Sequence, residues 1–210
     1  MKILAYGEDS LTLWALTTHL SHILKWLQDD TDPADCMAFY RPSFGRSGGP
    51  NSPQFGEFDA ILITRWALYL IESKWDNASN SPKDAVVLEE VQTRRHTIFT
   101  WLRSRWNMTQ PGNWEAFRQA AAQDFKAIFP YRPLANAKRL LSRNLGYLLK
   151  LLMQHPEKIR NVLLYFHRST VAPPKRVVDG TGAVIDPPFD LICLPYSSLE
   201  DTGFFEFSHE

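Results

Sequence analysis

Asp59, Glu72 and Lys74 are the residues whose types and spacing could do chemistry. Four consecutive apolar residues, Leu68 to Ile71, run directly into Glu72-Ser73-Lys74-Trp75. A carboxylate and an ammonium at the end of a buried strand are costly unless they are paired or bound to a metal. Strand alternation puts Glu72 and Lys74 on one face and Ser73 on the other. The apolar run Glu57 to Thr64 lies just before, so the two runs read as an antiparallel hairpin. A two-residue loop at Arg65-Trp66, or a four-residue loop from Thr64 to Ala67, pairs residues whose numbers sum to 131 and sets Asp59 opposite Glu72. A three-residue loop would shift that register by one, and Arg65-Trp66 is not a favoured tight-turn pair. Directly opposed side chains have Cβ atoms about 4.5 to 5.5 Å apart, close enough for two carboxylates to share a divalent ion.

Two carboxylates in a partly dry site repel, and a hard cation such as Mg²⁺ (or Mn²⁺), bound through one or two carboxylates while keeping waters, is the ordinary remedy. Lys74 would then assist the attacking water and offset negative charge building on phosphorus. The bland alternative is a buried ion pair of Asp59 or Glu72 with Lys74 that has no catalytic duty.

The surrounding elements follow from periodicity. Leu13, Leu16, Leu20, Ile23, Leu24 and Leu27 predict an amphipathic helix from about Ser10 to Gln28, capped by Asp9 or Ser10. Cys36 to Arg41 reads as a first strand, stopped by Pro42, and Ser43 to Gly56 as a loop. Ser81-Pro82 starts a helix that runs to about Trp106. Two further helices are expected from Trp114 to Ile128 and from Leu134 to Met153. Asn161 to His167 and Phe189 to Pro195 read as buried strands separated by a long loop, Val171 to Pro188, and Gly203 to Phe207 as a short edge strand. The fold class is therefore α/β, a mixed sheet flanked by helices, forming one domain over 1–210 with a helical insertion over 107–158.

Gly56-Glu57-Phe58-Asp59, followed thirteen residues on by Glu72-Ser73-Lys74 at the end of an apolar strand, resembles the PD-(D/E)XK nuclease superfamily, of restriction-endonuclease-like fold. The ending Glu-Ser-Lys-Trp is similar to its nuclease-related and Holliday-junction-resolvase-like branches. The resemblance covers about the first 105 residues: helix, three-stranded meander, helix. It implies metal ligation by Asp59 and Glu72, often with the backbone carbonyl of Ser73, and a catalytic role for Lys74. It also implies an acidic residue of the first helix, Glu8 or, nearly as well, Asp9, and a polar residue on the following helix, Gln92, with Arg95 one turn on. Phe58 stands where the superfamily's name has proline.

The substrate expected is DNA. From Arg94 to Arg143 ten basic residues face two acids, a formal charge of +8, within a chain whose total is zero. Arg94 and Arg95 begin that region, and Arg46, in the loop before the hairpin, is a further candidate for backbone contact. Tyr131 and several tryptophans are interleaved with these charges, although the seven tryptophans read mainly as core. The leading expectation is a metal-dependent phosphodiesterase acting on DNA. Its rivals are a catalytically inactive module of the same fold that binds nucleic acid or a protein partner, and an ion-paired structural domain.

Composition excludes other classes. Hydrophobic residues make up 44% of the 210, enough for a sizeable core. Cys36 and Cys193 match no zinc, haem or redox spacing and read as core packing in a reduced compartment. No run approaches a membrane span, and Met1 to Ser10 breaks at Gly7-Glu8-Asp9, so a cytoplasmic, soluble protein is expected. No Gly-x-Ser-x-Gly is present, and His19 and His22 lack a metal-binding acid at suitable spacing; the six histidines read as packing or surface residues. Such nucleases often work in pairs, which leaves a homodimer open, though no coiled-coil signal is readable.

Overall fold

The computed structural model describes residues 2–45, 52–76, 84–199 and 202–208. In chain order the elements are β1 (Lys2–Tyr6), α1 (Gly7–Thr18), α2 (Leu20–Leu27), β2 (Met37–Tyr40), β3 (Ala60–Ile63), β4 (Leu68–Trp75), β5 (Ala85–Leu88) and α3 (Glu90–Thr109). They continue with α4 (Trp114–Ile128), α5 (Leu140–Leu152), β6 (Ile159–Arg168), β7 (Arg176–Asp179), β8 (Phe189–Tyr196) and β9 (Phe204–Ser208). The central sheet is mixed, in the order β2-β3-β4-β6-β8: the first three strands form an antiparallel meander, and β6 and β8 add in parallel.

Alternation divides the sheet's two faces into two cores. Ala60, Leu62, Tyr69, Ile71, Val162 and Leu164 pack under α1 and α2, while Ile61, Ile63, Leu68 and Leu70 pack under α3, α4 and α5 with Phe58, Phe99 and Trp106. A smaller cluster joins Leu163 to Val86, Leu88 and Val177 of the two-stranded β5–β7 ribbon. Burial on both faces explains why β3 and β4 read as unbroken apolar runs.

The β3–β4 register is the one whose residue numbers sum to 131: Ala60 pairs with Ile71, Ile61 with Leu70 and Ile63 with Leu68. Thr64 to Ala67 forms the turn, with the Thr64 N–H donating to the Ala67 carbonyl at 3.0 Å. The unfavoured Arg65-Trp66 pair is accommodated because the Thr64 hydroxyl oxygen accepts from the Trp66 and Ala67 N–H groups at 3.2 and 3.1 Å. That hydroxyl in turn donates to Asp29 Oδ2 at 2.7 Å, and Tyr69 donates to the same oxygen at 2.7 Å. A buried carboxylate thus pins the far end of the hairpin.

Several expectations are corrected. The first helix begins at Gly7, three residues before the expected start, and breaks at His19 into α1 and α2. Residues 85–88 form β5 rather than helix, because they pair in parallel with β7, and α3 starts at Glu90; Ser81 and Pro82 lie outside the described residues. The helix expected from Leu134 starts at Leu140, and the loop Val171 to Pro188 contains β7. The edge strand near Gly203 is β9, paired with the unforeseen β1 rather than with the main sheet. Both cysteines are free and half-buried, Cys36 packing against the core under α1 and α2, and Trp26 and Trp66 are each 55% exposed while Trp106 and Trp114 are buried. Among the described residues, no helix is long and apolar enough to cross a membrane.

Candidate functional site

The C-terminal half of β4 carries the candidate site. Even-numbered residues of β4 face α3, so Glu72 follows Leu68 and Leu70 to that side and Lys74 extends the same row. Ser73 faces α1, where its hydroxyl accepts from Thr12 Oγ1 at 2.7 Å and ties that helix to the strand. Asp59 immediately precedes β3. Its N–H donates to the Ile71 carbonyl at 3.1 Å, one place off the β3–β4 register, in which Ile71 is paired with Ala60, so the expected direct pairing of Asp59 with Glu72 gives way to two residues, Asp59 and Ala60, facing Ile71. Its carboxylate Oδ2 accepts from the Ser73 N–H at 2.7 Å.

Glu8 arrives from the other side of the sheet. Gly7 joins β1 directly to α1 at φ +86°, a backbone conformation that favours glycine, and this sharp entry puts Glu8 in the helix's first turn. Asp9 is turned to other work: Arg41 pairs with it and, at 3.0 Å, with Glu57. Of the two acids read from the sequence, Glu8 is the one whose charge is felt at Asp59.

Glu8 and Glu72 therefore act on Asp59 through their charges, and Asp59 and Glu8 both have raised carboxyls. Asp59 is raised to about 7, first by burial, then by the charges of Glu72 and Glu8, against the opposing pull of the Ser73 N–H and of Arg95. Glu8 is also raised to about 7 by burial and by Glu72 and Asp9, with Lys74 drawing it back down. Lys74 thus couples electrostatically to Glu8, and among the described residues it makes no ion pair with Asp59 or Glu72.

Glu72 is 1% exposed and held by α3. Gln92 Nε2 donates to its Oε2 at 3.3 Å, while the Gln92 carbonyl oxygen accepts from the Glu89 N–H at 3.1 Å, so one side chain caps the helix and grips the carboxylate. Arg95 Nε stands 3.2 Å from Glu72 Oε1, at ion-pair distance but without hydrogen-bond alignment. His96 Nε2 lies 3.0 Å from the same oxygen, and its Nδ1 lies 2.8 Å from Asn161 Oδ1 on β6. Held between Asn161 and Glu72, the ring is fixed in orientation against the carboxylate.

Sequence reasoning missed two of these residues. His96, read as packing or surface, contacts Glu72 directly; its signal was its position one turn after Gln92 on the same helix face. Arg41 left no signal, because its partners Asp9 and Glu57 are distant in sequence. Phe58, standing where the superfamily's name has proline, packs edge-on against His96 and Phe99, with ring centroids 4.9 and 5.5 Å apart, and so helps hold the histidine on Glu72.

Arg94 pairs loosely with Glu90, at 3.5 Å. Arg95 passes close to Gly56, where a Cβ would come within 3.6 Å of the guanidinium; that glycine sits at φ +112°. Arg46 lies outside the described residues. The basic region is less uniform than its count suggests. Arg105 pairs with Asp124 and Arg118 with Glu115, and Arg103, 1% exposed, donates to the carbonyls of Leu152, His155, Pro156 and Glu157.

Among the described residues, no group of three or more His, Cys, Asp or Glu side chains is arranged to hold a metal ion. Mg²⁺ asks less than that, since it binds through one or two carboxylates and keeps several waters. The all-oxygen donor set of Glu8, Asp59, Glu72 and the Ser73 carbonyl, two of whose carboxyls are raised first by burial and then by neighbouring carboxylates, has the chemistry such an ion takes. Compared with protein-family models, curated proteins and solved structures, the chain finds no match.

Proposed function

We propose that the protein is a metal-dependent phosphodiesterase of restriction-endonuclease-like fold that hydrolyses DNA. The observation that carries this reading is the electrostatic coupling of Glu8, Asp59 and Glu72 near Lys74 at one end of the central sheet, with the Asp59 and Glu8 carboxyls raised to about 7, first by burial and then by neighbouring carboxylates. Asp59 and Glu72, with Glu8 and the Ser73 carbonyl, would hold Mg²⁺ or Mn²⁺. Bound there, the ion supplies Lewis-acid polarisation of a phosphodiester oxygen and a more acidic water.

The remaining work falls to the chain's own groups. Lys74, on the Glu72 face of β4, orients the attacking water and offsets negative charge developing on phosphorus. Gln92 and His96 fix the rotamer of Glu72, so its carboxylate is ordered before substrate arrives. Arg41 keeps Asp9 and Glu57 engaged. Arg95, positioned between Glu72 and Gly56, is suited to contact the scissile strand, and Arg94 to contact a neighbouring phosphate.

The engagement of Glu72 by both Arg95 and His96 favours a second reading, a module of the same fold that binds nucleic acid without cutting it. Calorimetric titration of Mg²⁺ and Mn²⁺ into the wild type and Asp59→Asn separates the two. Saturable heat in the wild type that the variant lacks supports the enzyme, and no heat in either supports the inactive module.

A further inference from the structure

Tyr131, on the linker between α4 and α5, is 72% exposed. It lines a cleft of about 320 Å³ with Arg118, Lys126, Pro130, Arg132 and Pro133. Arg118 is already committed to Glu115, through contacts of 3.1 and 2.6 Å. Lys126 and Arg132 have no ion pair among the described residues; Arg132 Nη1 donates to the Gln54 carbonyl, which satisfies a proton but leaves the charge.

Arg132 also neighbours Arg94, and burial together with that like charge lowers its pKa. Arg94 Nε is buried and has no hydrogen-bond partner. The unsatisfied Arg94 N–H, on a side chain whose other end pairs only loosely with Glu90, suits an anionic oxygen. Arg95 follows directly, reaching Gly56 and Glu72, so the basic track runs from the cleft to the candidate site. The Arg132 contact with Gln54 fixes one end of this track to the segment that leads into Gly56.

We propose that the cleft lined by Tyr131, Lys126 and Arg132 binds single-stranded nucleic acid, Tyr131 stacking on a base while Lys126, Arg132 and Arg94 follow the phosphates toward Glu72. An exposed aromatic ring among phosphate-binding cations suits unpaired bases, because a duplex hides its base faces in its own stack. The proposal rests on the nuclease reading for its purpose, but binding can be read without cleavage.

The test is fluorescence anisotropy of a labelled oligothymidylate of about 20 nucleotides, in EDTA, across salt from about 50 to 200 mM. Tyr131→Ala should weaken binding by about 5- to 100-fold, and Tyr131→Phe should bind as the wild type does. Lys126→Ala should flatten the salt dependence by about 0.7 in log–log slope. Both side chains are exposed, so these variants keep the fold. No binding by the wild type, or an unchanged Kd in Tyr131→Ala, overturns the proposal. Binding with this pattern but no Mg²⁺-dependent cleavage keeps the cleft and removes the nuclease reading; cleavage with unaltered binding in Tyr131→Ala does the reverse.

Discussion

Asp59→Asn removes a carboxylate whose ionisation is disfavoured by burial and by its acidic neighbours, and its effect on stability can be worked from the structure. The Asp59 carboxyl is raised from 3.8 to about 7 by burial and by Glu72 and Glu8. At about 1.36 kcal/mol per unit, its ionisation costs the folded protein at most about 4 kcal/mol above neutral pH. Solvent relaxation around a partly exposed side chain reduces the expected figure to about 1–2 kcal/mol. Because the folded value is raised, the native chain keeps a proton that the unfolded chain has lost, and wild-type stability falls as pH rises from about 4 to about 7. Asparagine does not titrate, and its carbonyl oxygen can still accept the Ser73 N–H. In EDTA at pH 8 the variant should therefore be more stable than the wild type by about 1–2 kcal/mol, with the difference vanishing toward pH 4. Urea unfolding followed by tryptophan fluorescence measures it. A variant less stable than wild type at pH 8, or a difference independent of pH, refutes the reasoning.

Glu72→Ala should do the opposite, since it leaves Arg95 and His96 buried without their carboxylate; a loss of about 3–5 kcal/mol in urea unfolding is expected, and a neutral result would mean that the contacts are solvated. Arg103→Met should cost about 2–3 kcal/mol by stranding the carbonyls that end α5 and begin the turn to β6, and a thermal midpoint equal to wild type would remove that role. Burial pushes the Asp29 carboxyl up, yet hydrogen bonds from Thr31, Thr64 and Tyr69 outweigh it and hold the group below the ordinary value. Its stabilisation should be complete at neutral pH and fade as pH falls below about 4, so Asp29→Asn should lose stability at pH 7 and little at pH 3; equal losses at both would contradict the hydrogen-bonded anion.

How much was legible in the sequence depended on how local the signal was. The hairpin register over Ala60–Ile63 needed only two apolar runs and the length between them, whereas the step at Asp59, whose N–H bonds the Ile71 carbonyl already opposite Ala60, has no signal in the pattern. The helix expected from about Trp114 to Ile128 forms over those residues, since the break before it and Pro130 after it are both local signals, while its Asn113 cap shows only in the structure. The four-residue β5 and β7 strands gave no alternation long enough to see, and each exists only because the other lies beside it. Arg103 was counted with the basic surface because a sequence cannot show that its guanidinium turns inward to carbonyls about fifty residues away. His96 and Arg41 were missed for the same reason: their partners come from other elements of the fold.

The central claim is tested most directly by incubating linear, single-stranded and branched DNA with the wild type and Lys74→Ala, each with Mg²⁺, Mn²⁺ or EDTA. Lys74 makes no ion pair among the described residues, so its removal should leave the fold intact. The account predicts cleavage by the wild type with a divalent ion, none in EDTA, and a loss of at least about 100-fold in Lys74→Ala. Uncut DNA in every wild-type reaction, or equal cleavage by Lys74→Ala, would contradict it.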